Sequence, residues 1–450
     1  MRREAFSVHV PAVFLAVGMA ISGASPARAA DWTGAYVGAG LGADAVTGEI
    51  DAVLAGTGSL SAEGLGGGDI GVSLRAGADY QLNKWLVVGA FANLDWSNIE
   101  TSGSMTGLGE SVAAEILKLK HAWTIGARAG VLMTPAFLAY GLLGYTHVAF
   151  DDPSVRSVTT GASARLDLPS YYGVVLGGGF EHRLSSRVSL TGEYRQARFD
   201  KEVLFEDPGN AIVRGAPTLH VGRVGVAWRF GGARDEAEAT AAPEVAKAWN
   251  GFYVGAGLGV DAMTRDLTLD APGVGVSGRL EGLGGGDVGG TVIAGYDHRM
   301  GPRLVLGLYG LLDWSSQTTE VSASAFGQTA SADLLALDRS WTIGARAGML
   351  LASDVLGYVL AGYTHTEFSD ARLSATGQSV TLRFPSFEGL TIGGGFEKLI
   401  SHNLSLRAEY RYTALGDEEL AAVPGVATLK MDPSLHTGRL LLSYRFPTGG

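Results

Sequence analysis

Trp123-Thr124-Ile125-Gly126-Ala127-Arg128-Ala129-Gly130-Val131 carries two signals at once. Trp123, Ile125, Ala127, Ala129 and Val131 alternate with Thr124, Gly126, Arg128 and Gly130, so one face is apolar and the other small or charged. That period of two belongs to a β-strand, whose side chains point to opposite faces in turn. The first eight of these residues also recur letter for letter as Trp341–Gly348, 218 positions later. Moving outward, Tyr36–Gly42 returns as Tyr253–Gly259, Asp95-Trp96 as Asp313-Trp314, and Gly144–His147 as Gly362–His365. Gly177–Glu181 returns as Gly393–Glu397, Glu193-Tyr194-Arg195 as Glu409-Tyr410-Arg411, and Leu219-His220 as Leu435-His436. The order never changes, so a unit of about 200 residues has been duplicated.

The same alternation runs through each copy. Val188, Leu190, Gly192 and Tyr194 alternate with Ser189, Thr191, Glu193 and Arg195. His220, Gly222, Val224, Val226, Trp228 and Phe230 alternate with Val221, Arg223, Gly225, Ala227 and Arg229. Eight such segments are expected in copy one: 32–45, 69–82, 86–98, 116–132, 136–150, 171–184, 188–199 and 219–230. The fifth has an ambiguous register, because Leu142 and Leu143 put apolar residues on both faces. Copy two repeats the set from Trp249 to Phe446. Tight turns at 83–84, 133–135 and 185–187 alternate strictly with long stretches at 46–68, 99–115, 151–170 and 200–218. An antiparallel meander sorts its connections in this way when its two ends face different compartments, as a transmembrane β-barrel does. The eight Trp (32, 85, 96, 123, 228, 249, 314 and 341) lie in or beside strands, mostly near their ends, where aromatic girdles form.

Composition fits the same class. Gly supplies 67 of 450 residues, roughly twice the usual share. Hydrophobic residues make up 46% and charged residues 18%, which is too apolar for a disordered chain. The absence of Cys excludes a disulfide scaffold and thiolate-based metal sites. A net charge of −11 argues against nucleic acid as a partner. Arg2 and Arg3, the apolar run from Val10 to Ile21 and the triplet Ala27-Arg28-Ala29 read as a secretory signal, cleaved after Ala29.

These readings divide the chain into a signal (1–29), a first barrel (30–230), a periplasmic linker (231–248) and a second barrel (249–450). The fold class is all-β: two tandem eight-stranded antiparallel transmembrane barrels in a Gram-negative outer membrane. The alternative is one merged sixteen-stranded barrel with a wet channel for small solutes. The linker is long for a turn, and each copy has its own opening and closing strand, which favours two barrels.

Trp32–Gly38 and Trp249–Gly255, the Gly-Gly-Gly-Phe-Glu segments, the Glu-Tyr-Arg strands and the closing segments Val224–Phe230 and Leu440–Phe446 carry a resemblance. They resemble the opacity-protein-like small outer-membrane barrels, including the porin-family surface antigens of alphaproteobacteria. The resemblance spans nearly the whole chain after the signal, twice, whereas such proteins usually carry one barrel. It implies that the closing aromatics Phe230 and Phe446 are read by the barrel assembly machinery. Phe446 departs from the pattern, since Pro447-Thr448-Gly449-Gly450 follows it.

The inward face in this register carries Arg128, Glu193, Arg195 and Arg223, and in copy two Arg346, Glu409, Arg411 and Arg439. Opposite charges inside a narrow barrel pair across it, which predicts a filled interior with a structural role. Gly38–Ala43 satisfies G-x-G-x-x-A, but neither a helix nor a βαβ unit surrounds it, so no nucleotide cofactor is expected. The nine His show no metal-binding spacing, and no metal is expected. Asp95 with His147 is the nearest approach to a catalytic pair, and no nucleophile completes it, so the chain reads as non-enzymatic. Its expected partners are outer-membrane lipid, lipopolysaccharide and the assembly machinery. The Ser/Thr/Gly/Ala-rich connections name no extracellular partner.

Overall fold

A computed structural model describes residues 32–230 and 249–446, apart from 57, 108, 316–318, 326–327, 335–336, 376–377 and 425. The expected signal and linker lie outside the described residues. Among these residues, sixteen long strands form the walls. The first half contributes β1 (Gly34–Leu54), β2 (Gly58–Gln81), β3 (Leu86–Ser97), β4 (Glu110–Thr134), β5 (Phe137–Phe150), β6 (Tyr171–Arg183), β7 (Val188–Phe199) and β8 (Ala211–Arg229). The second contributes β9 (Gly251–Ala271), β10 (Val276–Met300), β11 (Leu304–Ser315), β12 (Leu337–Ala352), β13 (Val355–Phe368), β14 (Phe387–Leu399), β15 (Leu404–Leu415) and β16 (Ala427–Arg445).

Within each half, every wall strand bonds its sequence neighbours antiparallel, and each half closes on itself. β8 returns to β1 from Tyr36↔Arg229 to Leu54↔Ala211. β16 returns to β9 from Tyr253↔Arg445 to Asp270↔Thr428. Closure pairs the backbone groups of the wall internally, which a lipid-facing sheet requires. With β8 bonded to β1 and β7, and β16 to β9 and β15, the walls form two rings of eight. The merged ring of sixteen is not the arrangement these ladders make.

The inward and outward parity follows the alternation. Leu142 points inward and is buried, whereas Leu143 points outward and is exposed, which resolves the fifth strand. The expected long loops, however, are largely strand. β1 and β2 continue to a hairpin around Ala55-Gly56, and Glu100–Gly107 pairs with β4 while Glu202–Asp207 pairs with β8. Ladder hydrogen bonding sustains these extensions even though their Ser, Gly and Ala residues give little polarity contrast between faces.

Beyond the rings, the extensions of the two halves bond each other. β2 pairs with Thr319–Ala325 from Glu320↔Glu63 to Ala325↔Gly58. Reciprocally, Glu100–Gly107 pairs with β10 from Ser277↔Thr106 to Glu281↔Ser102.

Two of the eight Trp depart from the girdle expectation. Trp32 and Trp249 are wholly buried at the short-turn ends, where their indole N–H groups donate to Pro135 O (3.0 Å) and Ser353 O (2.9 Å). Arg229 lies 4.6 Å over the Trp32 ring and Arg445 4.6 Å over Trp249, so these indoles cap the interiors. Trp85, Trp96, Trp228 and Trp314 stay on the outside, exposed.

Candidate functional site

The interior of each ring is a stack of guanidinium–carboxylate pairs. At the short-turn end of the first, Arg128 on β4 donates from Nε to Asp79 Oδ1 (2.9 Å) and from Nη2 to Asp79 Oδ2 (2.5 Å) and Glu181 Oε2 (3.0 Å). Arg229 on β8 grips the same two carboxylates, Nε to Glu181 Oε1 and Nη2 to Asp79 Oδ2, both at 2.7 Å. Above them, Arg75 pairs with Glu193, which also accepts from Tyr140 OH at 2.7 Å. Arg195 then holds Asp95 bidentately (2.9 and 2.7 Å), and Arg223 holds Asp44 (2.5 and 2.8 Å). Five guanidiniums thus meet five carboxylates, all inside the wall.

The second interior repeats the scheme. Arg346 and Arg445 share Asp297 and Glu397, Arg411 holds Asp313 (2.8 and 2.9 Å), and Arg439 holds Asp261 (both 2.7 Å). Tyr358 OH donates to Glu409 Oε2 at 2.6 Å. One element has moved. The counterpart of Arg75 is Ile293, and the counterpart of Thr191 is Arg407. The fifth guanidinium therefore enters from β2 in one ring and from β15 in the other. Arg407 is fully buried and donates to Glu397 Oε2 at 2.9 Å.

All eight charged residues singled out by pattern lie inside and are paired, but their partners were missed. Asp44, Asp79, Asp95 and Glu181 recur at inward positions as Asp261, Asp297, Asp313 and Glu397, and Arg229 recurs as Arg445. Comparing the copies only at inward positions would have found them. Asp95 and His147 do not come together: Asp95 is held inside by Arg195, while His147 stacks on Trp123 (ring centroids 5.5 Å) on the outer wall. Phe230 and Phe446 lie outward and exposed, their N–H groups bonded to Ala35 O (2.8 Å) and Phe252 O (2.9 Å).

Toward the long-hairpin ends the interiors diverge. The first ring is filled by an apolar cluster that includes Val148, Phe150, Val175, Ala197 and Phe199. The second has a matching apolar cluster that includes Met263, Phe368, Phe387 and Leu415. It adds a threonine ladder through Thr342, Thr364, Thr391 and Thr413, with Oγ1 separations of 2.7, 2.5 and 2.6 Å, of which the first ring keeps only Thr124–Thr146 at 2.9 Å. The cavity bordered by Tyr36, Arg75, Arg128, Glu181 and Glu193 measures only about 30 Å³. On the outer extension, hydrogen bonds from Lys201 Nζ (2.5 Å) and Ser61 hold the Asp51 carboxyl below its usual range.

Arg265 on β9 breaks the pattern. It is buried, its Nε donates only to Met263 Sδ (3.3 Å), and its Nη2 has no partner among the described residues. The matching position in copy one is Gly48. A buried cation without a carboxylate is a net cost, so Arg265→Met is expected to stabilise the protein by on the order of 1 kcal/mol. The measurement is the temperature at which the folded gel band is lost, and an unchanged or lowered temperature contradicts it.

The family described as outer membrane protein beta-barrel domain matches residues 13–230 and again 237–446. The chain is 30% identical over 213 residues to the 31 kDa outer-membrane immunogenic protein of Brucella melitensis, and equally to that of Brucella suis. Each match covers 46% of this chain and 88% of the relative. Ail, the attachment invasion locus protein of Yersinia pestis, is similar over 44% of this chain and 99% of its own, at 17% identity. Its TM-score of 0.23 is too low to add to what the ladders show.

Proposed function

The chain belongs to the outer membrane protein beta-barrel domain family, and on that premise we propose that it serves as a non-conducting structural and surface-display protein of the outer membrane. The observation that supports this most directly is the filled interior: paired charges, capping Trp and apolar or threonine layers occupy both rings, and the cavity beside Arg128 is about 30 Å³. A channel needs a continuous wet path, which such layers block.

In this reading the buried charge network of Arg128, Glu193, Arg195, Arg223, Arg346, Glu409, Arg411 and Arg439 braces the two walls. No reaction is assigned to the chain; Asp95 is engaged by Arg195, and among the described residues no cluster of three His, Asp or Glu could hold a metal. Residues 1–29 serve as the export signal, 30–230 and 249–450 as the two barrels, and 231–248 as a periplasmic linker. Even strand numbers bring both ends of each barrel to the periplasmic side. Phe230 and Phe446 are the aromatics offered to the assembly machinery, and outer-leaflet lipopolysaccharide borders the outer rim.

The purified full-length protein in planar bilayers is expected to give no stable openings. Reproducible steps of constant size, persisting across preparations, overturn the non-conducting reading in favour of a solute channel.

A further inference from the structure

Most outward residues of the walls stay open: Leu41 and Val226, for example, are 51% and 50% exposed. One strip of each barrel is different. Ala45 on β1 and Ala262 on β9 point outward yet are wholly covered, and His220 on β8 and His436 on β16 nearly so. What covers each strip is the other barrel.

The contacts come in reciprocal sets. A Cβ placed on Gly68 would stand 2.7 Å from Ala262 Cβ, and one on Gly286 would press on Ala45. Gly222 and Gly438, counterparts in the two copies, face each other, with each ideal Cβ 3.9–4.0 Å from the opposite Cα. Gly192 likewise meets its counterpart Ala408 (3.1 Å). His436 Nε2 lies 3.9 Å from Asp69 Oδ1 of the other barrel. Each His also shares a hydrogen bond with a Tyr on its own wall, Tyr194–His220 at 3.1 Å and Tyr410–His436 at 2.9 Å.

Reciprocity of this kind, with i meeting j and j meeting i, is the mark of a two-fold association between like units. The polar groups give a second, independent argument. His, Tyr and Asp gathered on an outer wall are costly against lipid tails, and the opposite barrel removes them from lipid. Small residues at the crossing allow the backbones to approach closely, and packing with polar contacts drives association inside a bilayer.

We propose that the two barrels form a fixed lateral pair, a fused version of a two-fold dimer, whose seam shuts the His220 and His436 strips off from lipid and holds without the 231–248 linker. The proposal rests on the outer-membrane barrel reading above.

The test uses the full chain with a protease site inside 231–248 and the substitutions Gly222→Cys and Gly438→Cys. The natural chain has no Cys, so any bridge is the introduced one. After mild oxidation and linker cleavage, the halves are expected to stay joined on a non-reducing gel and to separate with reductant. Ile125→Cys with Ile343→Cys, on the walls opposite the seam, is expected to leave them separate. The cleaved chain without Cys is expected to elute as one species in mild detergent, which keeps the proposal testable should the Cys variant fail to fold. Cleaved halves that keep their heat-resistant bands yet elute apart overturn the seam. A chain with no heat-resistant band at all overturns the barrel placement, and the seam with it.

Discussion

Replacing Glu397 with Leu is expected to abolish the heat-resistant form of the second barrel, whereas Glu181→Leu leaves the first weakened but folded. The two residues are counterparts, and both are fully buried. Their loads differ. Glu181 accepts from two guanidiniums, Arg128 and Arg229, which also share Asp79. Glu397 accepts from three, Arg346, Arg407 and Arg445, and its Ser405 hydrogen bond (2.7 Å) is local. Removing one partner of a buried pair costs about 3–5 kcal/mol because the other charge stays buried. Its loss leaves Arg346 and Arg445 on Asp297 alone and Arg407 with only Glu409, 4.0 Å away, which multiplies that penalty against a whole-domain stability of roughly 5–15 kcal/mol. Cleaving the linker before electrophoresis reads each half separately as a function of temperature. Equal losses in the two halves would contradict the load argument, and Glu397→Gln, which keeps the shape and one accepting oxygen but turns a donor toward the other guanidiniums, should fall between.

The displaced fifth guanidinium leads to a rescue experiment of similar size. Arg75→Ile puts the second copy's residue into the first and removes the guanidinium paired with Glu193. Glu193 keeps Arg195 (3.0 Å) and Tyr140 (2.7 Å), so a loss of about 3 kcal/mol is expected rather than collapse. Thr191→Arg alone adds a cation to an interior already balanced at five against five, and is also expected to destabilise. Together the two substitutions recreate the arrangement of the second barrel and should recover most of the loss. The readout is the coupling in a double-mutant cycle on the melting of the first half. Additive losses, with no recovery, would mean that the two interiors are not interchangeable solutions of one packing problem.

Those two experiments turn on residues that the sequence only half disclosed. Alternation within a strand says which side chains share a face, and it placed Arg128, Arg195, Arg223 and their repeats inside. It says nothing about who stands opposite, because that depends on the stagger accumulated around a closed ring. Arg128 meets Asp79 two strands away and Glu181 on another strand again, and no local spacing reports this. The capping role of Trp32 was hidden for a related reason. A residue at a strand end can turn in or out with the entering chain, and here the stacking of Arg229 belongs to the folded ring. The outer extensions were misread as loops because Ser, Gly and Ala provide no contrast between faces. The seam was hidden by its own repetition, since Gly222 and Gly438 look like ordinary members of duplicated strands until the copies are set side by side.

The exchanged ladders beyond the rings bear on what a binder from the medium would encounter. Ser59 and Ser324 hydroxyls meet at 2.8 Å, and Thr101 Oγ1 donates to Gly282 O at 2.9 Å, so residues more than 180 positions apart form one contiguous patch. An antibody selected on the whole protein can take its footprint from both halves and lose it when either is presented singly. Raised instead on one half, it can settle on a strand edge that the intact chain has already paired. Recognition of this protein is thus a property of the duplicated chain as a unit, although each half was written from the same template.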